Sequence, residues 1–89
     1  MSVRITAYTT SWCADCARSK RLMQNQGICF EEIDIERVPG AEAAMRALNG
    51  NSGKVPTIVI EHGAERTVLV EPTNRELTEA LRSFLPPPS

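Results

Sequence analysis

No apolar run in this chain approaches the roughly 18 residues that a membrane-spanning helix needs, so no membrane partner is expected. Charge of one sign is missing too. Ten Lys and Arg stand against eleven Asp and Glu, for a formal net charge of -1. That balance argues against nucleic acid or an anionic membrane surface as the main partner, because both are held by an excess of cations. Met1-Ser2-Val3-Arg4 leads into a short apolar stretch with no cleavage-site pattern, so a cytoplasmic location is expected. Three cysteines are an odd count, which fits poorly with a secreted disulfide framework. There is one histidine and no second close cysteine pair, so a zinc site would lack its other half. No internal repeat and no linker breaks the 89 residues. One domain is expected, with 42% hydrophobic and 24% charged residues in the ordinary globular range.

What is present alternates between strand and helix signals. Residues 3–10, "VRITAYTT", are rich in β-branched and aromatic residues and predict a first strand. Ser11 offers a helix N-cap, and residues 13–26 lack Gly and Pro, with Gly27 as the stop. "ICFEEIDI", residues 28–35, predicts a second strand. Ala41, Ala44, Met45 and Leu48 fall at helical spacing before Asn49-Gly50. "TIVIE" and "TVLVE" flank "HGAER", which predicts a hairpin with His62 in its turn. Thr73 and Glu76 form a capping box before a last helix whose buried stripe is Leu77, Leu81, Phe84 and Leu85. The order βαβαββα implies an α/β fold. The first strand–helix–strand unit favours a parallel pair, and the hairpin adds antiparallel strands. A four-stranded mixed sheet with three helices on its two faces is the thioredoxin arrangement.

"TTSWCADC" carries the chemistry. Cys13 and Cys16 lie at the start of the first helix, where unpaired amides and the helix dipole favour a thiolate. Cys16 sits one turn deeper. Cys13 is therefore the expected attacking sulfur, and Cys16 the shielded one that resolves a mixed disulfide. Asp15 works against this as a tuning residue, since a carboxylate near the sulfur disfavours its charged form. Arg18, Lys20 and Arg21 offset it in part and are expected to be solvated. Cys29 reads as a small buried hydrophobe between Ile28 and Phe30. "KVPTIVI" is the second constellation. In a thioredoxin-type fold the loop before the third strand faces the cysteine pair. A cis bond at Pro56 would leave backbone groups there free to pair with a substrate, with Lys54 near the sulfur.

"YTTSWCADC", "EEIDIE", "NGNSGKVPTIVI" and "VEPTNREL" together resemble the glutaredoxin family of the thioredoxin superfamily, nearest its bacterial mycoredoxin branch. The resemblance implies one glutaredoxin-like domain over residues 1–85 and a proline-rich tail over residues 86–89. It implies a thiol-disulfide oxidoreductase in which Cys13 attacks and Cys16 resolves. Val55 and a cis Pro56 would bind the thiol's peptide-like part, with Trp12 and Tyr8 beside Cys13 and residues 71–74, including Thr73 and Asn74, flanking the substrate. Glu71-Pro72-Thr73-Asn74 departs from the Gly-Gly and Asp of glutathione-using members. Asp15 replaces the usual aromatic residue and Lys54 the usual Thr, which suggests an Asp15–Lys54 ion pair across the site.

The expected function is reduction of mixed disulfides between proteins and a low-molecular-weight thiol. That thiol is a co-substrate, with mycothiol, bacillithiol and glutathione all open, and no bound cofactor or metal is expected. S-thiolated or disulfide-containing proteins are the partners, and a monomer is expected. The alternative is a dithiol electron donor recycled by a flavin-dependent disulfide reductase, as in donors to ribonucleotide reductase. A third reading is an iron–sulfur carrier in which two chains share a cluster through Cys13.

Overall fold

The computed structural model describes residues 3–84 of the chain. Leu85 and the expected tail lie outside the described residues. The elements are β1 (Val3–Thr9), α1 (Ala14–Asn25), β2 (Glu31–Asp34), α2 (Ala41–Leu48), β3 (Thr57–His62), β4 (Glu65–Val70) and α3 (Asn74–Phe84). They form one sheet of order β2-β1-β3-β4, in which β1 and β2 are parallel and the other pairs antiparallel. This is the thioredoxin fold, as expected. No described helix is long and apolar enough to cross a membrane.

Strand alternation sorts the core into two layers. Ile5 and Ala7 of β1 and Ile58 and Ile60 of β3 point to one face, where they meet Met23 of α1 and Leu77 and Leu81 of α3. Tyr8 and Val59 point to the other face, where Met45 of α2 closes over them. Both faces of the central strands are covered, which is why Ile58, Val59 and Ile60 run apolar without alternation. In α2, Ala41 and Met45 are buried while Ala44 is exposed, so its buried stripe is narrower than expected. Gly27, at φ +69, ends α1 in a left-handed turn that favours glycine.

Two expectations are corrected here. β2 is four residues long, and its register with β1 begins at Thr6 opposite Glu31. Ile28 and Phe30 pack on the core before that point, and Cys29 between them faces outward. Cys29 is therefore exposed, not buried: alternation along an extended segment cannot turn three consecutive side chains inward. The second correction concerns His62, which is not in the turn. It ends β3 opposite Glu65, and its ring stands edge-on to Phe84 with centroids 6.1 Å apart. The strands extend further than expected, leaving a two-residue turn at Gly63 and Ala64.

Candidate redox site

β1 delivers the chain to the end of the sheet where α1 starts. Ser11 was the expected cap of α1, but the cap is Cys13 itself. Its backbone is extended (φ -85, ψ 116), and its Sγ accepts a hydrogen bond from the Cys16 amide at 3.1 Å. The first cysteine thus takes the place that Ser, Thr or Asp usually fill. The same amide can hydrogen-bond charge that develops on this sulfur during exchange. The Cys13 thiol donates to the Val55 carbonyl at 3.7 Å, and the Val55-Pro56 bond is cis, as expected. Residues 42 positions apart in the chain meet at one sulfur.

The two cysteines differ sharply in environment. Cys13 is half-buried, whereas Cys16 is only 1% exposed. Burial pushes the Cys16 thiol up to about 12, and its hydrogen bond with Cys13 adds to the shift. Its folded-state value lies above the ordinary value near 9. The neutral thiol therefore contributes to stability fully below pH 9, and this contribution is lost as pH rises toward 12. Cys16→Ala should flatten the alkaline decline in stability of the reduced protein, measured by urea unfolding between pH 8 and about pH 10.5. An unchanged decline would mean that burial does not hold this proton.

Around this pair the rim is built of paired charges. Lys54 Nζ lies 3.8 Å from Glu71 Oε1, and Arg18 Nη2 lies 3.4 Å from Asp15 Oδ1. The expected Asp15–Lys54 pair is therefore not formed. The helix places Arg18 one turn from Asp15, and the loop geometry hands Lys54 to Glu71. Glu71 has a left-handed backbone (φ 46), and its amide donates to the Pro56 carbonyl at 2.9 Å. That contact turns the chain from β4 back over the cis proline.

Thr73 and Asn74, expected beside the substrate, hold structural bonds as well. Thr73 Oγ1 accepts from the Glu76 amide at 3.1 Å, and the Thr73 amide donates to Glu76 Oε1 at 2.8 Å, so the capping box is formed. Asn74 Oδ1 accepts from Arg18 Nη1 at 2.7 Å. Trp12 is 71% exposed, and its Nε1 donates to Glu36 Oε1 at 3.0 Å. Tyr8 is buried in the core and serves as scaffold. Behind the pair, Glu32 Oε2 accepts from both Lys20 Nζ and Thr9 Oγ1 at 2.7 Å. The Lys20 bond is the main reason that Glu32 lies below the usual carboxylate range. Arg18 was read from the sequence as a solvated offset to Asp15, but it is tied to residues 54 and 56 positions away. Among the described residues, no group of three or more His, Cys, Asp or Glu is placed to hold a metal ion.

Residues 5–63 match the glutaredoxin family model, a span that includes Cys13, Cys16, Val55 and Pro56. The chain belongs to the glutaredoxin family. Like the family's other members, it is a thiol-disulfide oxidoreductase. This glutaredoxin-family chain is 34% identical over 67 residues to a Mycobacterium tuberculosis protein named as a glutaredoxin, covering 75% of this chain and 80% of that protein. It is 49% identical over 45 residues to the Escherichia coli glutaredoxin-like protein NrdH, covering 51% of this chain and 56% of NrdH. The solved structure of Escherichia coli NrdH-redoxin, described as having a thioredoxin-like activity profile, superposes with a TM-score of 0.68 at 30% identity. The superposition covers 96% of this chain and 99% of that one.

Proposed function

We propose that this protein reduces mixed disulfides between proteins and a low-molecular-weight thiol, with Cys13 as the nucleophile. The observation that carries this reading is the asymmetry of the pair: Cys13 is open to a substrate, and Cys16 is sealed at 1% exposure. The Cys13 thiolate attacks the small-thiol sulfur of the mixed disulfide. A Cys13–thiol disulfide forms, and the protein thiolate leaves and takes a proton. A second small thiol, as its thiolate, then attacks the sulfur bound to Cys13. This frees Cys13 and forms the disulfide of the small thiol, which carries away the two electrons' worth of oxidation. The Cys16 amide steadies the charge that returns to Cys13. In this cycle the Cys16 thiol is not consumed. The cis Pro56 and Val55 form one wall of the groove, and residues 71–74 form the rim.

The rim charges support a weakly charged thiol. Glutathione carries two carboxylates and asks for unpaired cations, whereas Lys54 and Arg18 already face Glu71 and Asp15. Mycothiol has no carboxylate and suits this rim better, ahead of bacillithiol. Turnover of a protein mixed disulfide by Cys16→Ser, run in parallel with mycothiol, bacillithiol and glutathione, tests the reading. Mycothiol should sustain turnover within about threefold of the unmutated protein, while glutathione falls at least about tenfold lower in kcat/KM. The likeness to NrdH supports a second reading, a dithiol donor recycled by a flavin-dependent reductase. Failure of all three thiols, with Cys16 required alongside a reductase, would replace the first reading by the second.

A further inference from the structure

One side chain joins the cysteine helix to the rim, a link that its place in the sequence, as one of three cations following Asp15, does not reveal. The Arg18 guanidinium makes three hydrogen bonds. Nη1 donates to Asn74 Oδ1 at 2.7 Å, while Nη2 donates to the Pro72 carbonyl at 3.2 Å and to Asp15 Oδ1 at 3.4 Å. We propose that Arg18 is the positioning residue of this redox site. Its planar fork holds the rim at Pro72 and Asn74 in place, and its charge neutralises the carboxylate that stands between the two cysteines.

Both halves follow from the geometry. The rim between β4 and α3 has its own internal bonds, from Glu71 to Pro56 and from Thr73 to Glu76. Those bonds set its local shape, but among the bonds that Pro72 and Asn74 make here, only those from Arg18 reach α1. A guanidinium can serve a carbonyl, an amide oxygen and a carboxylate at once because its donors form a rigid fork. Lysine offers the charge without the fork. Asp15 sits in the first turn of α1, one residue before Cys16, and Arg18 is the cation bonded to it. Without that cation, an attacking anionic thiol would meet an uncompensated carboxylate in the same first turn that Cys13 caps.

This inference rests on Cys13 as the nucleophile, so its test includes a readout that needs no substrate turnover. In a Cys16→Ser, Cys29→Ser background, Cys13 is the remaining thiol. Its sulfur displaces iodide from neutral iodoacetamide or from anionic iodoacetate. The ratio of the two rates cancels the thiolate fraction and reports the local field. At about 10 mM salt, where screening is weak, Arg18→Met should lower the iodoacetate-to-iodoacetamide ratio at least about threefold. Adding Asp15→Asn should restore it. Arg18→Lys should keep the ratio. With the small thiol that supports turnover, Arg18→Met and Arg18→Lys should both raise KM about fivefold, with kcat within about twofold. A ratio unmoved by Arg18→Met, or a KM unmoved by Arg18→Lys, overturns the proposal. Should no small thiol turn over even with Arg18 intact, the proposed function fails and the alkylation ratio alone decides the role of Arg18. The side chain is half-buried and outside both core clusters, so the variants should keep their thermal midpoint. If Arg18→Met does not fold, Arg18→Lys carries the test through its split between ratio and KM.

Discussion

Cys13→Ser should lower mixed-disulfide turnover by at least about 10³-fold, down to the uncatalysed background. A serine hydroxyl stays protonated at working pH, and its oxygen does not exchange with disulfide sulfur. Neither remaining thiol can stand in. Cys16 is 1% exposed, and burial alone raises its thiol above the ordinary value, so it neither reaches a substrate nor ionises readily. Cys29 is exposed but lies at the other end of the sheet, where it shares a shallow concavity with Val3, Arg4 and Ile5. The seven residues of β1 separate that end from Cys13, at about 3.3 Å per residue. Cys29→Ser should therefore leave turnover unchanged within about twofold. Steady-state assays of the two single variants decide this. A Cys13→Ser protein that keeps a tenth of the activity would remove Cys13 from the mechanism.

The largest expected stability effect lies in β3. Ile60 is fully buried, pairs with Ile5 and Thr67 across the two neighbouring strands, and packs in the layer that joins the sheet to α1 and α3. Ile60→Ala removes three methyl or methylene carbons from a site walled by strands on both sides, which limits collapse around the void. The cost should be about 3–4 kcal/mol. That is a large share of the roughly 5–15 kcal/mol that holds a domain of this kind together. Urea unfolding should show it directly, and the thermal midpoint should fall by more than about 12 °C. Val38, which is 47% exposed, provides the contrast: Val38→Ala should change stability by less than about 0.5 kcal/mol. A cost below about 1.5 kcal/mol at Ile60 would mean that the core layer closes around the gap.

The site was legible in the sequence where its parts lie close along the chain. Cys13, Cys16 and the start of α1 fall within one helical turn, and the capping box at Thr73 and Glu76 is a four-residue signal. Local chemistry decides such features, so they survive whatever the rest of the chain does. The cap of α1 was misplaced by two residues because a sulfur at an N-cap is rarer than a serine hydroxyl. Cys29 and His62 were misread for a related reason. Strand ends depend on how far the neighbouring strand continues, and that is set by residues elsewhere in the chain.

Charge partners were the least legible. The Asp15–Lys54 pairing was inferred from two unusual residues at opposite walls of one site. The structure gives Asp15 to Arg18 and Lys54 to Glu71. Long flexible side chains choose among several carboxylates within reach, and the choice turns on loop shapes that periodicity does not encode. The sequence by itself determined the alternation of elements, the thioredoxin fold, the cysteine at the start of α1 and its buried partner one turn on, because hydrophobic period and helix-terminus chemistry are local. Only the tertiary structure decided which backbone carbonyl faces Cys13, which cation neutralises Asp15, and how Arg18 fastens the rim to the cysteine helix. Those contacts join residues 42 to 56 positions apart or choose among rival neighbours: the pairing of β1 with β3 brings Val55 to Cys13, and the packing of α1 and α3 on a common sheet face brings Arg18 to the rim.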